Sequence, residues 1–139
     1  MKRDGTVYEL QFRIEALRRG LDTFPPDGDY SPVDCIVLNP AGKTYRVQVK
    51  GTACVGKSDG KGRSPSKYKY RIISGRRSDK STYSATEIDV LACYIAPVDE
   101  WFLIPMVLAA NNSSLAFFTG ANSRSKWQKH RNNWDIFLQ

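Results

Sequence analysis

The sequence predicts an α/β fold with α+β connectivity, in which a central mixed β-sheet is flanked by an N-terminal and a C-terminal helix. Two observations predict this fold. Apolar residues at helical spacing occur at both ends of the chain, and short apolar or alternating segments separated by turn residues lie between them. With 139 residues, of which 41% are hydrophobic, the chain can build one core but not two. We therefore expect a single domain over residues 1–139.

The N-terminal segment has apolar residues three or four positions apart, which predicts an amphipathic helix with a stop signal at Gly20. Glu9 is adjacent to this apolar stripe, so that it either reaches the sheet edge or remains in solvent. The stripe is formed by Val7, Leu10, Ile14, Leu17 and Leu21.

Short segments with strand patterns and turn signals follow in order. The predicted strands cover residues 21–24, 33–38, 44–50, 67–74, 88–96, 101–104 and 115–118, and a short helix is predicted at 106–110. A last helix is predicted over residues 123–138, where Trp127, Arg131 and Trp134 are spaced by four and three. This aromatic stripe is typical of core packing, whereas His130 on the same helix is expected at the surface.

The segment 29–50 reads as two strands joined by a turn, and it carries the most informative polar residues. The first strand is apolar at nearly every position except Asp34, and a buried carboxylate is costly unless a charge compensates it. The second strand alternates, which places Gln48 and Lys50 on one face. If the three side chains converge, Asp34 and Gln48 can hold a divalent cation beside Lys50. The alternative is a partly buried ion pair between Asp34 and Lys50 that fixes the strand register.

The net charge of +7 is unevenly distributed. Residues 43–80 contain twelve Lys or Arg and two Asp, a local balance of +10, so the remainder of the chain nets −3. A field concentrated in this way favours a polyanion such as nucleic acid, although a solvated surface is the alternative. Residues 56–66 are basic and rich in Gly and Ser, which predicts a flexible loop that contacts phosphates. Candidate contacts to the backbone or bases of such a nucleic acid are Lys57, Lys61, Arg63, Lys67, Arg76 and Arg77.

Cysteine and histidine usage excludes several classes of protein. The three cysteines form no CxxC pair, which argues against a disulfide framework or a zinc site and favours a reducing cytoplasm. The single histidine removes most histidine-dependent catalysis, including Ser-His-Asp triads. No apolar run approaches the roughly 20 residues that span a bilayer, and no hydrophobic signal segment is expected at the N-terminus.

Several motifs occur together in an order that resembles the PD-(D/E)XK nuclease superfamily. They are Gly5-Thr-Val-Tyr-Glu9, the helix exit at Arg18-Arg-Gly20, the segment 25–34 that ends in Asp34, Arg46-Val-Gln-Val-Lys50, and the later segments 87–94 and 101–105. More narrowly, the chain is similar to the small stand-alone group that contains intron-encoded homing endonucleases and archaeal Holliday-junction resolvase-like proteins. This resemblance covers most of the chain and implies a restriction-endonuclease-like core.

Two positions depart from the pattern of the superfamily. Pro32 is separated from the aspartate by Val33 instead of preceding it directly. Gln48 stands where the (D/E)XK triplet usually has an acidic residue. An amide can bind a cation through its carbonyl oxygen, but it adds no negative charge. This makes Glu9 more important as a second carboxylate.

The resemblance implies metal-assisted hydrolysis of phosphodiester bonds. Asp34, Gln48 and the backbone carbonyl of Val49 would bind Mg²⁺, or Mn²⁺ as a substitute, and Glu9 would complete the site directly or through water. Lys50 would orient the attacking water or stabilise the transition state. The implied catalytic residues are Glu9, Asp34, Gln48 and Lys50.

Three functions therefore remain open from the sequence. The first is a site-specific DNA endonuclease of the homing or restriction-like kind, which acts as a homodimer or homotetramer because each site cuts one strand. The second is a Holliday-junction resolvase-like nuclease that acts on branched instead of linear double-stranded DNA. The third is a DNA-binding module that has the same fold without turnover. The apolar segment 101–118 is either a subunit interface or part of the core.

Overall fold

A five-stranded mixed β-sheet forms the centre of the fold. The computed structural model describes residues 2–53, 69–73, 83–119 and 125–139. The strands of this sheet run in the order β1-β2-β3-β5-β6, and only the β3–β5 pair is parallel. A separate antiparallel pair, β4–β7, forms a second sheet. The strands are β1 (Asp22–Phe24), β2 (Cys35–Leu38), β3 (Thr44–Thr52), β4 (Lys69–Ile73), β5 (Val90–Ile95), β6 (Glu100–Pro105) and β7 (Ser114–Phe118).

The helices lie on either side of the central sheet. The first, α1 (Lys2–Arg18), packs on β3 and β1, and α2 (Met106–Ala109) follows β6 directly. Short 3₁₀ helices occur at Ala96–Val98, Gln128–His130 and Trp134–Leu138. The predicted mixed sheet and N-terminal helix are confirmed, and the predicted strands correspond to β1–β7 with shifts of a few residues at their ends.

The alternation of residues along the strands divides the core into two layers. On β3, Tyr45, Val47 and Val49 are buried in the layer that also contains Phe12 and Ala16 of α1. On β5, alternate residues enter opposite layers, because Ala92 belongs to the first layer whereas Leu91 and Cys93 belong to the second. The second layer is closed by β4 and β7. Strand β5 is therefore covered on both faces, which explains its continuous apolar sequence.

The face of α1 that packs on the core differs from the face that the sequence predicts. Phe12 and Ala16 are fully buried, whereas Val7, Leu10, Ile14 and Leu17 are 48%, 49%, 49% and 54% exposed. The prediction is wrong because α1 has two apolar faces, and the face with the larger aromatic side chain packs inward. The Phe12 ring lies 5.5 Å from Trp101 and 5.4 Å from Trp134 between ring centroids.

The predicted C-terminal helix is also wrong. The described residues 125–139 form two 3₁₀ helices instead of one α-helix. Between them, Arg131 is extended and Asn132 has a φ of 51°, a left-handed conformation that asparagine tolerates and that interrupts a helix. The prediction that Trp127 and Trp134 pack in the core is confirmed.

The structure also shows whether His130 and residues 101–104 are exposed or buried. His130 is buried instead of exposed, because the 3₁₀ turn after Trp127 directs the chain inward. Residues 101–104 of β6 belong to the core, whereas Val107 and Leu108 later in the segment 101–118 are exposed. Cys35 and Cys93 are buried free thiols, and burial raises the pKa of the Cys35 thiol to about 12. Within the described ranges, no helix has the length and apolarity needed to cross a membrane.

Candidate active site

The β2–β3 hairpin places Asp34 opposite Gln48. Cys35 pairs with Val47 in the antiparallel register, and the Asp34 backbone amide donates to the Val47 carbonyl over 2.8 Å. Asp34 thus lies one residue before β2, although the sequence predicts it within a strand over residues 33–38, and its backbone amide still bonds to β3. Its carboxylate accepts a hydrogen bond from the Val49 backbone amide at 2.7 Å. The Asp34 side chain is therefore held across the end of the hairpin.

The packing of α1 against β3 brings Glu9 to the same place. The Tyr8 ring lies directly on Gly51, where an added Cβ would be 2.3 Å from Tyr8 Cδ2. The same ring packs on Tyr94, with centroids 5.7 Å apart. A side chain at residue 51 would push α1 away from the sheet, so Gly51 permits the close approach that Glu9 needs. Tyr8 and Gly51 were not predicted as site residues, and no sequence signal identifies them before their contact is known.

A cavity of about 510 Å³ opens where α1, the hairpin and the end of β3 meet. All four residues predicted to be catalytic and the predicted metal ligand Val49 line this cavity. The structure therefore brings together the set that the sequence places 41 positions apart, from Glu9 to Lys50. The cavity is also lined by residues that were not predicted, among them Asp4, Tyr8, Asp29, Gly51 and Tyr83.

The two carboxyl groups of the cavity carry perturbed pKa values. Desolvation raises the pKa of Asp34 to about 7, and the nearby Glu9 charge adds to the increase while the Val49 hydrogen bond opposes it. Desolvation also raises the pKa of Glu9, and the charge of Asp29 acts in the same direction. The two carboxyl groups lie close enough to share a proton, and this contact raises the pKa of Asp34 and lowers that of Glu9. Two desolvated carboxyl groups in contact are therefore a site that a cation would stabilise.

Gln48 also lines this cavity, and its amide oxygen is buried. Its side chain is 4% exposed, and its Oε1 atom accepts no hydrogen bond from any residue that the structure describes. An unpartnered buried amide oxygen is costly, and oxygen atoms are the ligands that Mg²⁺ prefers. Across the described parts of the chain, no group of three His, Cys, Asp or Glu residues could hold a metal ion. The donor set that fits a divalent cation consists of two carboxylates and this amide oxygen.

Lys50 lines the cavity without forming an ion pair with Asp34. Both residues are described, and their charged atoms are not within the 4.0 Å of a salt bridge. The Lys50 charge lowers the pKa values of Asp34 and Glu9 from a longer distance, and its Nζ lies 5.9 Å from the Tyr83 ring centroid. The alternative in which an Asp34–Lys50 ion pair fixes the strand register does not describe this site.

Comparisons with known proteins show the family and the fold of the chain. The family model for PD-(D/E)XK endonucleases matches residues 1–137. The chain belongs to the PD-(D/E)XK endonuclease family. The structure is similar to that of the bacterial homing endonuclease I-Ssp6803I, with a TM-score of 0.77 and 20% sequence identity over 100% of this chain and 91% of that chain. No curated protein matches the sequence.

Membership in this family has direct consequences for the chain. The PD-(D/E)XK endonucleases are nucleases that generally use divalent metal ions, and an endonuclease of this family has DNA as its substrate. The similarity to the solved structure at this level of identity shows a shared restriction-endonuclease-like fold.

The basic residues proposed to contact DNA are not tested by the structure of this PD-(D/E)XK endonuclease. Lys57, Lys61, Arg63, Lys67, Arg76, Arg77 and the predicted loop 56–66 all lie outside the described residues.

One basic residue near the site has a structural role. Arg46 donates from Nε and Nη2 to the Asp89 carboxylate over 3.0 and 2.9 Å, and its backbone amide donates to the same carboxylate over 2.8 Å. These bonds raise the pKa of Arg46 and lower that of Asp89. They connect β3 to the segment that enters β5.

Proposed function

We propose that this protein is a Mg²⁺-dependent DNA endonuclease that cuts specific sites in double-stranded DNA, of the homing or restriction-like kind. The observation that carries the proposal is the meeting of Glu9, Asp34 and the unpartnered Gln48 Oε1 in one cavity beside Lys50. This combination matches the chemistry of phosphodiester hydrolysis, in which a cation and a lysine act on the same phosphate.

The residues of the cavity would have different roles in the reaction. Asp34, Gln48 Oε1 and the Val49 carbonyl would hold the cation, and Glu9 would complete the set. When bound, Mg²⁺ would neutralise charge on the scissile phosphate and lower the pKa of the attacking water. The Lys50 ammonium would donate hydrogen bonds to a phosphate oxygen or to that water, and so stabilise charge that develops in the transition state. Lys50 is suited to this task because Asp34 does not neutralise it in a salt bridge.

The DNA backbone would be held by the strongly basic segment around β4. Residues 43–80 have a net charge of +10, and six Lys or Arg residues between 57 and 77 are the proposed contacts. Because one active site cuts one strand, cleavage of both strands at one position calls for a homodimer or a homotetramer.

Cleavage of supercoiled plasmid and of a synthetic four-way junction in Mg²⁺ tests this function. Wild type is expected to linearise plasmids at defined sites, whereas Asp34→Asn is expected to bind DNA without cutting it. Asp89→Asn is the matched control, since Asp89 lies beside the same strand outside the cavity. Preference for the junction would favour a resolvase-like nuclease instead. Salt-sensitive binding with no cleavage of either substrate would indicate a DNA-binding module without turnover.

A further inference from the structure

Helix α1 has a second apolar face that no described element covers. Val7, Leu10, Ile14 and Leu17 are each about half exposed, and we call these four residues the outer stripe. They lie on the opposite side of the helix from Tyr8, Phe12 and Ala16, because successive residues are about 100° apart. A helix that is apolar on both faces is normally covered on both. The outer stripe is therefore a candidate interaction surface.

The spacing of the outer stripe is complementary to itself. Its residues are three, four and three positions apart, which is the a/d repeat of a two-helix seam. If two copies of α1 lie antiparallel around a two-fold axis, Val7 of one faces Leu17 of the other, and Leu10 faces Ile14. Both seam layers then consist of aliphatic pairs, and both copies contribute the same patch, as an isologous interface requires. We propose that the outer stripe pairs with the outer stripe of a second copy of this chain in this antiparallel orientation.

The charges beside the stripe favour the antiparallel orientation. In that orientation Asp4 of each copy lies opposite Arg18 of the other, which gives two attractive pairs. Arg18 is available for this contact, because 73% of its side chain is exposed and its contact with Glu15 is a long 3.7 Å. Arg13 would lie near its own counterpart, but it is directed toward β1 by a hydrogen bond to Thr23. A parallel pair would instead place Arg13 against Arg18 of the second copy, which is repulsive.

This pairing depends on α1 and not on nuclease activity, so it can be tested by mass alone. Sedimentation velocity of the full chain at about 1 to 100 µM is expected to give twice the 15.7 kDa chain mass, or a multiple of that value. Leu10→Lys with Ile14→Lys places like charges across the seam and is expected to halve the mass. The matched control is Val98→Lys with Leu138→Lys, two exposed apolar residues outside both the stripe and the segment 101–118, which should leave the mass unchanged.

Charge reversals test the orientation separately from the apolar contact. Asp4→Arg alone and Arg18→Asp alone are each expected to weaken self-association about tenfold, and the two changes together to restore it. Circular dichroism and a thermal melt establish that each variant is folded. A wild type that is monomeric throughout the concentration range would overturn the proposal. A folded Leu10→Lys, Ile14→Lys variant that keeps the wild-type mass would also overturn it, as would a double reversal that fails to restore association.

Discussion

Two polar clusters lie on the same face of β3. Opposite charges attract each other in the first cluster, whereas like charges repel each other in the second. At Arg46, the Asp89 carboxylate accepts two hydrogen bonds from the guanidinium and one from the backbone amide, and the pKa of Asp89 is lowered. At Gln48, only two residues further along, the neighbouring carboxyl groups repel each other and the amide oxygen has no described partner. The first cluster is complete without a ligand. The second has two desolvated carboxyl groups and an amide oxygen without a described partner, which is the arrangement that the proposed cation would complete.

The largest expected difference between the clusters is in catalysis. Lys50→Met and Asp34→Asn are each expected to lower the single-turnover cleavage rate about 10³-fold, because they remove transition-state or metal contacts. Asp89→Asn should change the rate of folded protein by no more than a few-fold. Rates are measured at saturating Mg²⁺ well below the melting temperature. A comparable loss of rate in Asp89→Asn would contradict the separation of the two clusters.

Replacement of the unpartnered amide is expected to affect metal binding more than folding. Gln48→Met should lower the affinity for Mn²⁺ by about 10- to 100-fold, since one oxygen ligand is lost. The metal-free stability should be unchanged or higher, because no hydrogen bond from a described residue is removed. Titration calorimetry and melts in EDTA measure both effects. Unchanged Mn²⁺ affinity together with a large loss of stability would indicate a structural role for this amide.

The raised pKa of Asp34 predicts that this carboxylate destabilises the metal-free protein. The folded state binds the proton more tightly than the unfolded state, so stability falls as the pH rises from the ordinary aspartate pKa of 3.8 to about 7. Asp34→Asn should therefore raise the free energy of unfolding by about 2 kcal/mol at pH 8 in EDTA, with little effect at pH 3. Denaturant unfolding at the two pH values measures this. If Asp34→Asn were less stable than wild type at pH 8, the Asp34 carboxylate would not destabilise the metal-free protein.

The same pKa predicts how metal binding depends on pH. Since Asp34 must lose a proton to bind a cation, Mn²⁺ affinity should fall about tenfold per pH unit below pH 7. A binding series from pH 5.5 to pH 8, with Asp34→Asn as control, measures the slope. An affinity that stays constant across this range would show that the carboxylate is ionised throughout.

The smallest expected effect is at the complete cluster. Asp89→Asn should lower the free energy of unfolding by about 1 kcal/mol at pH 7, because the pair is partly exposed. The lowered pKa of Asp89 means that its contribution is present above the ordinary carboxyl pKa and is lost as the pH falls through the folded value. The difference between wild type and variant should therefore shrink as the pH falls below the ordinary carboxyl pKa of 3.8. A difference that persists in acid would assign the effect to packing instead of charge.

The local pattern of the chain was sufficient to predict most strands and to single out the four residues that line the candidate site. Alternation along β3 places Gln48 and Lys50 on one face. The antiparallel register of the hairpin then brings Asp34 next to them. These relations are short in sequence and follow from the period of a strand. The prediction of a C-terminal helix was wrong for a local reason too. The spacing of the aromatic residues is helical, but the left-handed backbone of Asn132 interrupts the helix.

The sequence by itself thus determined the hairpin, its polar face and the membership of Glu9 in the candidate set. Only the tertiary structure decided which face of α1 packs inward, because Phe12 and the outer stripe have the same helical period. The choice depends on Trp101 and Trp134, which are distant in sequence and fit the ring of Phe12. The contact of Tyr8 with Gly51 could not be predicted either, because the close approach of the Tyr8 ring depends on the absence of a side chain at Gly51 in β3. Periodicity specifies the faces of an element, whereas the partner of each face depends on side chains far away in sequence.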